Sequence, residues 1–331
     1  MPRLTQLDLL LFPVEEHPIF ASVKSASGER RLSIPDKKAI VNRDRGRVLG
    51  VVSRGYRLVS NLEALEMARE CCHAVFPETK PGEWEVRATD APGTGGHCFI
   101  DLAHNSTNLD FTLVPARDRL DAYGPFIRVT NSYNGLRALS FGIGFYRKVC
   151  ENSLILPESI IRFKFPHARS KIGKTIQFEV AHEKLSKLRA SMSEYLGVLQ
   201  DYPVGRDKFQ LLLLGVLSLR KPKDAKPGSP EAEDWSALNC HLTSICDRYA
   251  GELGENAYAA LNAMTEFASH PPENRCVYAE RHTFQCRAGA WLNDFKRVCR
   301  TEGFDLDKYI EKITSNGNGT ATVTTAHGRR S

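Results

Sequence analysis

The apolar residues of this chain change their spacing once, near Lys171, and no other feature constrains the fold as tightly. Upstream, short runs with two-residue alternation predict strands over 84–88, 98–102, 126–130, 136–141 and 160–165. Downstream the period becomes 3.6. Leu185, Leu188, Met192, Leu196 and Leu199 form one stripe, Trp235, Leu238, Leu242, Ile245 and Tyr249 a second, and Trp291, Leu292, Phe295 and Val298 a third. A chain that runs through its strands before its helices is expected to fold as α+β, with a β-rich N-terminal half of antiparallel hairpins and a helical C-terminal half packed against it.

Local signals refine this outline. Pro13, Pro18 and Pro35 interrupt the first 35 or so residues, so 1–37 reads as an arm lacking regular elements. A β-rich region spans 38–175, with short strands at 48–52 and 56–59. Ser60 and Glu63 have capping-box spacing, and Leu62, Leu65, Ala68, Cys72 and Val75 follow as a helix of about four turns. Asn134-Gly135, between two strand-like runs, predicts a hairpin with a type I′ turn, whose two central residues need positive φ. A helical region covers 176–314, broken by a proline- and lysine-rich loop at 221–230. The Gly, Asn, Thr and Ser tail over 315–331 reads as disordered.

Composition excludes several classes. The 331 residues carry 45 basic and 39 acidic side chains for a net charge of +6, a mild bias. The longest apolar run, Leu211 to Leu217, is far below the roughly 20 residues a membrane helix requires, so no membrane partner is expected. The first twelve residues have one early Arg, an acid inside the apolar stretch and no small-residue cleavage site, unlike a signal peptide. Nine scattered cysteines, an odd number, suit reduced thiols in the cytoplasm.

The strongest electrostatic feature is the stretch between Glu158 and Glu179. Arg162, Lys164, Arg169, Lys171 and Lys174 lie there without an acid, with Phe163 and Phe165 interleaved. On a strand Arg162 and Lys164 share one face and the two rings the other. Cations so placed track a phosphate backbone without reading sequence; the alternative is an edge strand guarded by charge. Phe141-Gly142-Ile143-Gly144 lacks the third glycine of a dinucleotide fingerprint, because Arg147 stands in its place. Cys150 beside Arg147 and Lys148 has the setting of a stabilised thiolate, but no spacing supplies its base, and a packed thiol accounts for it. Cys276, His282, Cys286 and Cys299, like Cys240, His241 and Cys246, lack the tight ligand pairs of a structural zinc site. Asp101, Asp110, Asp118 and Asp121 form no acid/base pair and read as solvated surface acids. No catalytic residue, metal or cofactor is assigned.

Between Lys38 and about Arg297 the order of features resembles the phage/plasmid-like protein family that carries domain of unknown function 932. The matching residues are Val51-Val52-Ser53-Arg54-Gly55-Tyr56-Arg57-Leu58-Val59 and Val129-Thr130-Asn131-Ser132-Tyr133-Asn134-Gly135. Arg147-Lys148-Val149-Cys150-Glu151-Asn152-Ser153-Leu154 follows, with the family's basic residue, Cys, Asn and Leu. Phe163, Phe165 and His167, and then Asn262-Ala263-Met264-Thr265-Glu266-Phe267, complete the series. The resemblance implies a phage, prophage or plasmid setting, and no activity.

The expectation is a sequence-tolerant nucleic-acid-binding protein serving replication or recombination of a mobile element, on single- or double-stranded DNA. Arg147, Lys148, Arg162, Lys164, Arg169, Lys171 and Lys174 would contact phosphates. Arg128, Arg147 and Asn152 around a groove are one arrangement of such a site; structural roles for Asn131, Asn134, Cys150 and Asn152 are the other. A phage or plasmid factor that binds a host protein is the competing reading, and an enzyme using Cys150 or a carboxylate in a β-sheet cleft a third.

Overall fold

The structure, a computed structural model, describes residues 7–25, 28–91, 95–104, 106, 110–116, 119–150, 152–155, 162–165, 192, 194–223 and 225–315. Its strands are β1 (Val14–Ser25), β2 (Gly28–Asn42), β3 (Arg47–Ser53), β4 (Trp84–Asp90), β5 (His97–His104), β6 (Phe111–Ala116), β7 (Arg119–Ser132), β8 (Leu139–Arg147), β9 (Ser153–Ile155) and β10 (Arg162–Phe165). Helix α1 (Asn61–Val75) stands among them. After the strands come α2 (194–201), α3 (Arg206–Leu217), α4 (Pro230–Leu253), α5 (Ala257–Ser269), α6 (Arg281–Val298) and α7 (Leu306–Ser315). The class is α+β. Two compact units divide the chain. One holds Met1–Leu113, Leu120–Glu151 and Ile155–Ser193; the other holds Val114–Arg119, Asn152–Leu154 and Glu194–Ser331.

The first unit contains two antiparallel sheets. The larger runs in the order β10-β8-β7-β5-β4, and its register follows from which residues are apolar. Cys98 lies opposite Asn131, Ile100 opposite Val129 and Leu102 opposite Ile127; Val129 and Ile127 in turn face Phe141 and Ile143 across β8. These residues share one face, because side chains alternate along a strand. Helix α1 lies against β5 and β8 and buries Ala64, Leu65, Ala68, Cys71, Cys72 and Val75. It begins as its sequence requires. The Ser60 hydroxyl accepts from the Glu63 amide, and the Glu63 carboxylate accepts from the Ser60 amide.

The smaller sheet, β1-β2-β3, corrects the reading of the first 37 residues as an arm without regular elements. β1 and β2 pair from Val14↔Asn42 to Ser25↔Gly28. Pro13 precedes the ribbon, and Pro18 and Pro35 do not break it because they sit where its register breaks. Pairing stops at Pro18↔Lys38 and resumes at Phe20↔Ser33, so Pro18 ends one ladder and Pro35 falls in the stretch of β2 that skips β1. A residue without an N–H costs nothing where no ladder bond is made. The base of the sheet buries Ile40, Leu49 and Val52 against Tyr56 and Tyr133, with Phe12, Val14 and Leu58 around them.

Two further expectations change. Residues 56–59 form no strand. Tyr56 makes an isolated bridge, its hydroxyl donates to the Ser132 carbonyl, and the chain runs on to the Ser60 cap. The Asn134-Gly135 hairpin between β7 and β8 exists, but only Gly135 has positive φ, at 72°. The loop spans 133–138 and is built by the Asn134 carboxamide, whose oxygen accepts from the Ser132 hydroxyl and the Leu136 amide.

In the second unit the expected stripes are buried. Leu196 and Leu199 on α2, Leu238, Leu242, Ile245 and Tyr249 on α4, and Trp291, Leu292 and Phe295 on α6 form its core, with Trp235 and Val298 half-buried; Met192, also buried, belongs to the first unit. Phe295 stacks on Trp291 with ring centres 4.8 Å apart, and Tyr202, Phe304 and Tyr309 meet it edge-on. Leu185 and Leu188 lie outside the described residues, as does the tail beyond Ser315. Of the segment expected as a loop, residues 221–223 and 225–229 precede α4, which the Ser229 hydroxyl caps and which Pro230 begins; Asp224 lies outside the described residues.

Candidate functional site

The motif Val129 to Gly135 lies at a buried junction of the first unit. Asn131 donates to the Val59 carbonyl (3.0 Å) and to Asn61 Oδ1 (2.9 Å), which also accepts from the Cys98 thiol (3.2 Å). Asn61 donates from its side chain to the Leu10 carbonyl and from its amide to the Tyr133 hydroxyl, both at 2.8 Å. Asn134 fits between two glycines. A Cβ on Gly50 would come within 2.4 Å of its Cα, and one on Gly96 within 2.8 Å of its Nδ2. The junction ties β3, β5, β7 and the start of α1 together. It is closed to ligands: Asn61, Asn131 and Tyr133 are all buried. Burial pushes the Cys98 thiol up to about 12 and the Tyr133 hydroxyl well above its usual range, so neither ionises near neutrality. These residues hold the fold.

The second pair of motifs meets in the second unit. Asn152 Nδ2 donates to the Tyr249 hydroxyl (2.8 Å), which donates to Glu266 (2.8 Å). Glu266 also forms an ion pair with Arg248. The Ser153 amide donates to Ser269 Oγ at 2.8 Å. Within the Asn262 to Phe267 motif, Asn262 donates to the Tyr258 carbonyl and Thr265 to the Asn262 carbonyl. Segments about 100 residues apart are thereby fastened through polar atoms that would otherwise be buried without partners.

Of the residues expected around a groove, Arg128, Arg147 and Asn152 each have a buried side chain. Arg128 makes two 2.5 Å hydrogen bonds to Asp101, directly opposite it on β5, and lies over the Phe99 and Phe126 rings. Asp101 is therefore no solvated surface acid. The phosphate-contacting set is placed unevenly. Arg147 is 1% exposed and donates to Cys150 Sγ at 3.9 Å, turning its charge inward. Lys148 pairs with Asp110 at 2.6 Å. Arg162 and Lys164 stand opposite Gly142 and Ser140, on a strand at the end of the larger sheet's path. Arg169, Lys171 and Lys174 lie outside the described residues.

Cys150 accepts a hydrogen bond from Arg147. Among the described residues, no cluster of three or more His, Cys, Asp or Glu is placed to hold a metal; Cys286 and His282 meet as a pair at 3.6 Å. All nine cysteines are free thiols. An open groove between α3 and α4 is lined by Gln210, Trp235, Asn239 and Thr243, whose polar groups largely bond one another.

The exposed chemistry is concentrated on the β1-β2-β3 sheet, which the sequence reading passed over. Lys24, Arg30 and Arg31 are exposed on the distal part of the β1-β2 ribbon, and Lys37, Arg43, Arg45 and Arg47 at its base. Arg54 and Arg57 follow directly. Ten basic and three acidic residues lie between Lys24 and Arg57, a larger excess than that of the whole chain. A cleft of about 330 Å³ opens at the base, lined by Leu9, Phe12, Asn42, Arg45, Arg47 and Asp90. The signal is present in the local charge count of the sequence.

The family model described as Domain of unknown function (DUF932) matches residues 48–291. No curated protein and no solved structure matches the chain. Among the described residues, no helix is long and apolar enough to cross a membrane.

Proposed function

Since the chain belongs to the DUF932 family, whose description assigns no chemistry, we propose from its own residues that it binds nucleic acid without strong sequence preference, in the replication or recombination of a phage or plasmid. The observation that carries this reading is the exposed cationic sheet β1-β2-β3. Guanidinium and ammonium groups exposed on one sheet displace counterions from a phosphate backbone whatever its bases. Arg162, Lys164, Arg169, Lys171 and Lys174 supply a second set of contacts. Arg147 and Lys148 are left out, one because it is buried and the other because it is held, partly buried, against Asp110; Arg43 is kept, because its 3.3 Å pair with Glu15 is solvent-exposed and open to exchange. The protein acts as a binding factor in the cytoplasm, and no catalytic group or cofactor enters this reading.

Fluorescence anisotropy with labelled single- and double-stranded oligonucleotides at several salt concentrations tests it. Affinity is expected to fall steeply with salt, and R43E/R45E/R47E to flatten the log–log slope by about 3. Flat titrations at low salt would retire the proposal. A protein partner is the second reading, favoured by β3: it is an edge of its sheet among the described residues and exposes Val48 and Val51. Such an edge accepts an added strand.

A further inference from the structure

The distal half of the β1-β2 ribbon has a geometry that the cationic base lacks. From Phe20↔Ser33 to Ser25↔Gly28 the two strands pair without interruption. At ~3.4 Å per residue this is a finger about 17–20 Å long. Both of its faces are exposed. Phe20, Ser33, Ser22, Arg31, Lys24 and Glu29 share one; Ala21, Leu32, Val23 and Arg30 share the other. Phe20 and Leu32 are each 53% exposed and Val23 is 44% exposed, so apolar side chains project into water on opposite sides. Each face also carries a cation.

A two-stranded ribbon in water is marginally stable by itself, and apolar residues on both of its faces add nothing to it there. The arrangement suits an occupant that encloses the ribbon from both sides, is negatively charged, and offers apolar surface at depth. The major groove of duplex DNA meets all three conditions. It is about 12 Å wide and admits two strands ~4.8 Å apart with their side chains, whereas the minor groove is about 6 Å wide. Its walls are phosphates, which suit Lys24, Arg30 and Arg31, and its floor carries base edges and thymine methyl groups, which suit Leu32, Val23 and Phe20.

We propose that the distal β1-β2 ribbon enters the major groove of double-stranded DNA, making the duplex the preferred substrate. This rests on the nucleic-acid reading above and adds the element, the groove and the strandedness. Two surface variants of the full chain, K24E/R30E/R31E and F20A/L32A, test it beside R43E/R45E/R47E, with circular dichroism to verify folding. Each ribbon variant is expected to bind duplex about tenfold or more weakly while single-strand binding changes less. Wild-type affinity should fall on a duplex whose major groove is filled by glucosylated hydroxymethylcytosine, and netropsin in the minor groove should leave it unchanged. If wild type binds with steep salt dependence and the ribbon variants match it, the ribbon inference is overturned and the nucleic-acid reading stands. Competition by netropsin with indifference to glucosylation would also overturn it, and so would variants that alter sedimentation of the free protein but not duplex affinity. Absence of binding to any oligonucleotide overturns both.

Discussion

Asn131 shows how far one side chain can matter in this chain. Its amide group satisfies the Val59 carbonyl and Asn61 where no water reaches, so Asn131→Ala leaves buried acceptors short of a donor. A loss of about 1–3 kcal/mol in chemical denaturation is expected, against about 1 for Tyr133→Phe, which removes one hydrogen bond to the Asn61 amide. Arg128 and Asp101 behave differently, because each neutralises a charge the other would leave buried. Arg128→Met should cost about 3–5 kcal/mol, and the double variant R128M/D101L much less, a difference that a double-mutant cycle measures. Burial also sets an alkaline limit. Cys71, Cys98 and Cys246 are each pushed from 9.0 up to about 12, by loss of solvent above all. Their neutral forms stabilise the fold fully below pH 9, and that contribution is lost progressively from pH 9 towards 12, by about 1 kcal/mol per pH unit for each thiol. Thermal melts under reducing conditions should be level from pH 7.5 to 8.5 and fall above 9.

Elements differed in how much of themselves they showed in sequence. Helix α1 was legible from end to end, because its cap and its stripe are local and agree. β4, β5 and β7 were legible as strands because their alternation or apolar runs bracket turn residues. The β1-β2 ribbon was not, since the rule against proline in a strand assumes an unbroken ladder, and the break at Pro18 and Pro35 comes from pairing between distant residues. The Asn134-Gly135 turn was half legible: the hairpin follows from the dipeptide, whereas its width follows from Asn134 filling the space that Gly50 and Gly96 leave. The cationic sheet of the candidate site shared the ribbon's fate. At this scale Gly50→Ala should lower the melting temperature by several degrees, because its Cβ meets main chain that has no room to yield, and the midpoint of a calorimetric scan checks it.

Across the whole molecule the charge is uneven. The stretch from Lys24 to Arg57 holds ten bases against three acids, so the remainder of the chain is close to neutral despite its net +6. A polyanion then meets a directed field, and association rates should respond to salt more than the modest net charge suggests. Stopped-flow association of a labelled duplex should slow at least tenfold between 50 and 300 mM salt, and R43E/R45E/R47E should remove most of that dependence. The buried junction has a bearing on synthesis as well. Asn61 meets Tyr133 across 72 residues. At roughly 5–20 residues per second a ribosome takes about 4–14 s to make that stretch. The basic N-terminal segment therefore emerges from the ribosome that long before the tyrosine that anchors its sheet, so a chaperone or a nearby nucleic acid would encounter it before its partner strands are available.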